Sequence, residues 1–195
     1  MSIVLVGSTS GSCTLQEQAV AGNTVLTLPT TSGTLITTGS SGQSIPKAAL
    51  PTGSVLQVVN ADYGSYTSTT STSPVDLGLS ASITPTSSSS KILVFVSING
   101  VERNTSSTGP VARFRLLRGS TEIFNFENAI FAGSTTTGYG NSSTSYLDSP
   151  ATTSATTYKI QWNISSNTGT IYINNYATGG VGTTRSTLTL MEIAA

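Results

Sequence analysis

Apolar residues in this chain come in short runs separated by Gly, Ser, Thr and Asn, and no long segment places them at the i, i+3, i+4, i+7 spacing of a helix. The clearest alternation spans Thr157–Ile164. Tyr158, Ile160, Trp162 and Ile164 share one face, and Thr157, Lys159, Gln161 and Asn163 share the other, which is the period-2 signature of a strand with one buried side. Trp162 is therefore expected to anchor a core. Val111–Leu117 alternates in the same way, with Arg113 and Arg115 opposite Phe114 and Leu116. Glu122–Phe126 follows across Gly119–Ser120 as the second arm of a hairpin. Lys91–Ile98 is apolar on both faces, which predicts a central strand covered on both sides. Ser54–Asn60, Val75–Thr84, Ile171–Asn174 and Thr187–Ile193 complete the set, and the Ser-Asn-Thr-Gly turn before Ile171 reads as another hairpin. The fold class is all-β: a jelly-roll-like antiparallel β-sandwich over residues 54–195.

The first 53 residues differ. Brief apolar runs at Ile3–Val6, Thr14–Val20, Thr24–Leu28 and Thr34–Thr37 lie between glycines, with few large side chains to fill a core. Such a segment buries little surface alone. Residues 1–53 are thus expected to form an extended, strand-rich N-terminal arm and linker, which orders against copies of itself or against a partner. A disordered tail is the other reading; the alternating Leu26 and Leu28 argue for order. Residues 39–53 are the linker, with Pro46, Pro51 and a glycine at each end. The opening Met1–Gly7 lacks the basic segment of a signal peptide and reads as a first strand.

Composition narrows the function. Only 8% of residues are charged, against about 25% in ordinary globular chains. Eight basic residues balance eight acidic ones, so no clustered charge is available for nucleic acid. The chain contains no His, which removes the usual general base, metal ligand and pH switch. A single Cys13 cannot form an intrachain disulfide. No run approaches the ~20 apolar residues of a membrane span, so no membrane insertion is expected. No cofactor is expected either. Zinc lacks its ligands, and a calcium ion held by Asp and carbonyls stays open.

Candidate chemistry is sparse. Ser44–Lys47 and Ser88–Lys91 have the Ser-x-x-Lys spacing of some hydrolases, but fall in a linker and at a strand entrance instead of on a helix. Asp62, Asp76, Glu102, Glu122, Glu127, Asp148 and Glu192 could pair for glycosidic cleavage, or simply face solvent and bind the arginines. Gly138 and Gly140, and Gly179, Gly180 and Gly182, precede no helix and read as flexible β-loops. Tyr63, Tyr66, Tyr139 and Tyr146 lie in or beside polar loops. Exposed rings flanked by Ser, Thr and Asn suit stacking on sugars or contact with a receptor protein. The alternative is that they cap the core or an interface between subunits.

Two stretches carry a family likeness. Residues 7–16, 19–29 and 31–35 resemble the opening of tailed-phage fibre and head-decoration proteins, and residues 90–97, 115–123, 146–158 and 188–195 resemble a phage C-terminal β-domain. The resemblance implies a virion surface protein, usually homotrimeric, located on the tail or the capsid, with no catalytic residues to transfer. The expected function is that of a non-enzymatic tail-fibre or fibre-tip component whose β-sandwich contacts the host surface, a glycan or a protein. Residues 1–53 would attach it to other virion proteins. A capsid cement or decoration protein is the alternative, and a glycan-acting enzyme the third reading.

Overall fold

The computed structural model describes residues 3–6, 12–15, 50–104, 111–128, 137–165, 169–175 and 184–195. The backbone divides into two compact units, Met1–Ser44 and Ile45–Ala195, at a point inside the segment read as a linker. In the first unit, β1 (Ile3–Val6) pairs antiparallel with β2 (Ser12–Leu15), Ile3 opposite Leu15. The runs expected at Thr24–Leu28 and Thr34–Thr37 lie outside the described residues.

Among its described residues the second unit contains ten strands: β3 (Val55–Tyr63), β4 (Thr67–Thr69), β5 (Val75–Ile83), β6 (Lys91–Asn104), β7 (Ala112–Arg118), β8 (Thr121–Asn128), β9 (Thr137–Asp148), β10 (Thr156–Ile164), β11 (Thr170–Ile173) and β12 (Ser186–Ile193). No helix occurs among the described residues. A four-stranded sheet runs β5-β10-β7-β8. In a six-stranded sheet β6 is central: β9 flanks one side along its length, and β12 and β11 pair with successive parts of the other, extended by β3 and β4. Setting aside the short β4 and β11, the main strands interleave between the sheets as 1-8-3-6 and 2-7-4-5. That is the double Greek key of a jelly roll.

The core fills the space between the sheets. Ile92, Val94, Val96 and Ile98 of β6, with Leu188 and Leu190 of β12, face Leu77, Leu79 and Ile83 of β5, Phe114 and Leu116 of β7, and Tyr158, Ile160, Trp162 and Ile164 of β10. Each alternates with residues on the outer face, as the pleat requires; on β7 and β10 these include Arg113, Arg115, Lys159 and Gln161. Each large side chain buried this way stabilises the fold by about 1.5–3 kcal/mol.

Three sequence expectations are corrected. Lys91–Ile98 is central, but among the described residues only its inner side is covered: Leu93 is half-buried and Phe95 is 42% exposed. The turn before Ile171 does not close a β10–β11 hairpin, because both edges of β10 are occupied by β5 and β7, and the chain crosses to the other sheet. Gly138 and Gly140 lie inside β9, not in a flexible loop.

The two outer faces differ. On the four-stranded sheet, Arg113–Glu127, Arg115–Glu122 and Lys159–Asp76 form ion pairs at 2.8–3.0 Å. These are exposed pairs that add little stability. On the six-stranded sheet, Val58, Met191, Leu93 and Leu147 align in one cross-strand row, with Val58 and Leu147 about half exposed.

At one end of the sandwich, Glu192 is fully buried. The Thr86 amide and hydroxyl donate to its Oε1 at 2.6 Å, and Gln57 Nε2 donates to Oε2 at 2.6 Å. Burial pushes this carboxyl up, but the donors outweigh burial and hold it below its ordinary value. A lowered folded-state pKa contributes stability that is present above the unfolded value and lost as pH falls through the folded one. The melting temperature should therefore drop as pH is lowered below the ordinary glutamate value of 4.5. Glu192→Gln should be less stable at neutral pH and show a flatter acid limb; equal acid slopes in the two proteins would refute this role.

Candidate functional site

The site begins with strand register. Tyr139 of β9 lies opposite Glu102 of β6, and Glu102 lies opposite Tyr172 of β11. Tyr172 in turn lies opposite Ser68 of β4. Cross-strand partners project from the same face, so a carboxylate stands between two tyrosines. Tyr66, just before β4, stacks on Tyr172 with ring centroids 5.3 Å apart and planes 3° from parallel. Tyr66 is 50% and Tyr139 47% exposed, whereas Glu102 is 8% exposed beneath them.

Glu102 accepts a hydrogen bond from Asn175 Nδ2, and the Tyr139 hydroxyl lies near its carboxylate. Burial raises the Tyr66 hydroxyl pKa, with further contributions from Tyr172, Glu102 and Tyr139. Burial and the charge of Glu102 raise Tyr139. The Tyr66 and Tyr139 hydroxyls thus stay protonated. Arg103, next in sequence, is in the row of core residue Ile171 on the opposite face of β6.

A backbone corner holds the cluster in place. The register of β6 against β9 shifts between Ile98 and Val101, and Gly100 there has φ +58°. A Cβ on Gly100 would lie 2.3 Å from the Asn175 carbonyl oxygen. The Asn174 amide donates to Asn99 O at 2.9 Å, and the Asn175 amide donates to Gly100 O at 3.1 Å. Asn174, itself at φ 57° and fully buried, donates from Nδ2 to Tyr63 O (2.8 Å) and Ser65 O (3.0 Å), and accepts from the Ser186 hydroxyl (2.8 Å). It ties the segment carrying Tyr66 to the end of β11. Gly100→Ala should cost about 2 kcal/mol or more from backbone strain and the displaced corner. It should also weaken the near-ultraviolet dichroism of the Tyr66–Tyr172 stack. A wild-type denaturation midpoint with an unchanged tyrosine spectrum would refute the role given to this glycine.

Of the four tyrosines singled out in the sequence, Tyr66 and Tyr139 come together here. Tyr63 and Tyr146 do not. The Tyr63 hydroxyl shares a 2.7 Å hydrogen bond with Thr67, and its half-buried ring packs over Gly78. Tyr146 is half-buried against Phe124, with centroids 5.2 Å apart. Tyr172 was missed; its signal is an aromatic at an outward position between the core residues Ile171 and Ile173. Trp162 is 1% exposed and stacks on Phe114 at 6.4 Å.

The other candidate chemistry disperses. Asp62 pairs with Arg185, Asp76 with Lys159, Glu122 with Arg115, Glu127 with Arg113, and Asp148 with Arg118. Ser88 is exposed in the turn before β6, and Lys91 begins that strand. Ser44–Lys47 and Gly179–Gly182 lie outside the described residues. Among the described residues no three His, Cys, Asp or Glu side chains gather as metal ligands.

No protein-family model matches the chain, and no curated protein matches it. Among solved structures, it is similar to dimeric latent PorU from Porphyromonas gingivalis, at 8% identity and TM-score 0.40, over 71% of this chain and 13% of that one. It is also similar to the infectious bursal disease virus Gx strain structure, at 14% identity and TM-score 0.38, over 80% of this chain and 42% of that one. A third similarity is to the VP2 subviral particle of infectious bursal disease virus, at 14% identity and TM-score 0.30, over 71% of this chain and 38% of that one. The chain spans less than half the length of each of these proteins.

Proposed function

We propose that the chain is a non-enzymatic structural protein of a virus particle, a tail-fibre or fibre-tip component whose jelly roll contacts the host surface. The observation that carries this reading is the exposed Tyr66–Tyr172–Tyr139 cluster at one end of the sandwich, on a unit distinct from the N-terminal one. Aromatic rings half open to solvent are suited to surface recognition. The resemblance of residues 90–97, 115–123, 146–158 and 188–195 to phage β-domains supports the viral part, and the engagement of five carboxylates in ion pairs supports the non-enzymatic part. Residues 1–53 would attach the protein to other virion components. Purified protein should bind the cells that the particle infects and block particle adsorption, and Tyr66→Ala with Tyr139→Ala should weaken both effects. Absence of cell binding by the wild type would sink the host-contact role.

The cement reading has its own support. The aligned apolar row Val58, Met191, Leu93 and Leu147 offers an uncharged strip suited to a neighbouring subunit or a coat protein. In either reading the protein is a homotrimer. Light scattering should give three times the 19.9 kDa chain mass; a monomer at micromolar concentration contradicts this.

A further inference from the structure

The described charges are distributed unevenly around Glu102. Every other described carboxylate has either a cation or, in Glu192, full burial under neutral donors. Among the described residues Glu102 has a hydrogen bond from Asn175 and the Tyr139 hydroxyl nearby, and no ion pair. Arg103 is on the opposite face of β6, and Lys91 begins that strand, eleven residues before Glu102. A shielded carboxylate without a counter-charge among the described residues favours any cation that can approach it.

The approach is flanked by aromatic rings. Tyr139 and Tyr172 are on the strands either side of β6, so their backbones are about 10 Å apart at the usual strand spacing. Tyr66 thickens the Tyr172 wall through its parallel stack. Aromatic walls over a carboxylate attract an ammonium group through both the ring quadrupoles and the charge. A neutral sugar matches this less well. It would stack on the rings, but it would leave Glu102 without a counter-ion.

We propose that the Tyr66, Tyr139, Tyr172 and Glu102 cluster binds an organic ammonium group carried on the contacted surface. The inference rests on the host-contact reading for its biological setting, but not for its chemistry. Two sources share that chemistry: a methylated ammonium head group and a protonated amino sugar.

The test uses the full chain labelled with 3-fluorotyrosine, with each fluorine resonance assigned by a Tyr→Phe variant. The probes are choline chloride, glucosamine hydrochloride at slightly acid pH, 3,3-dimethylbutan-1-ol as the neutral isostere of choline, and methyl glucoside, all at matched ionic strength. Choline and glucosamine should shift the resonances of Tyr66, Tyr139 and Tyr172 saturably, with dissociation constants of about 1–10 mM, and leave those of Tyr63, Tyr146 and Tyr158 in place. The tighter of the two cations identifies the source. The neutral probes should bind at least about tenfold more weakly. Glu102→Gln should weaken cation binding by about tenfold, and so should Tyr66→Leu, which alters a half-exposed ring. Equal binding of the neutral isostere, binding of methyl glucoside alone, or no saturable cation shift would each overturn the proposal. Cation binding by a protein found absent from the particle would keep the site and remove the host-contact reading; a protein placed on the particle that binds no cation would do the reverse.

Discussion

Trp162→Ala should destabilise the second unit by about 3–5 kcal/mol, the largest single-site loss expected in the molecule. The ring is 1% exposed, lies over Phe114 with planes 8° apart, and through Phe114 reaches Phe126 at 5.3 Å. Its strand, β10, is flanked by β5 and β7 and stands in the middle of the four-stranded sheet. The cavity left by alanine would open between strands that cannot collapse without losing register on both sides. Denaturant unfolding should show a lower midpoint with an unchanged slope. Trp162→Phe should recover a large part of the loss, because it restores ring contact with Phe114. A midpoint within error of wild type for Trp162→Ala would mean that the ring does not support the core.

Asp148→Ala should cost about 2–4 kcal/mol. Asp148 ends β9 in the six-stranded sheet and is 5% exposed. Its partners belong to the other sheet. Arg118 Nη1 donates to both carboxylate oxygens at 3.0 Å, and the Tyr158 hydroxyl donates to Oδ2 at 2.6 Å. Tyr158 and Arg118 are themselves cross-strand neighbours, so one carboxylate clasps a prepared pair. Burial, followed by the Asp148 hydrogen bond and charge, drives the Tyr158 pKa far up, so this hydroxyl remains a donor throughout the working pH range. Removing the carboxylate leaves that donor buried without a partner. Tyr158→Phe should be costly in the wild type and much less so in the Asp148→Ala background. Additive costs in that double-mutant cycle would show that the two side chains do not act together.

Much of this fold is legible in the sequence because one-sided burial imposes a period of two. Seven of the eight expected strands belong to the jelly roll's main eight, and the inward faces of β7 and β10 are those that the alternation assigns. The strand that escapes is β9. Its sequence, Thr-Gly-Tyr-Gly-Asn-Ser-Ser-Thr-Ser-Tyr-Leu-Asp, has few apolar residues, and its middle carries hydroxyl side chains on both faces, Ser142 buried and Ser143 and Ser145 exposed. Main-chain pairing with a long neighbour, not its own hydrophobicity, makes it a strand. The outer face of β6 misleads for the opposite reason. Leu93 and Phe95 look like buried positions, but no element of the described chain covers them.

The candidate site is half legible. Tyr66 and Tyr139 can be picked out as rings among polar neighbours, yet their convergence depends on strand register between segments more than seventy residues apart. Glu102 was visible only as one of several acids, and its distinction comes from what surrounds it. The positive φ of Gly100, which brings Asn175 over β6, is invisible in a sequence already dense in glycine.

The central claim, that this is a virion surface protein presenting its jelly roll outward, is tested most directly by imaging. Particles labelled with antibody fragments raised against residues 54–195 should show density at the distal ends of tail appendages, with three fragments around each tip. Label spread over the capsid shell would contradict the fibre reading in favour of the cement one, and purified particles without label would contradict the claim itself.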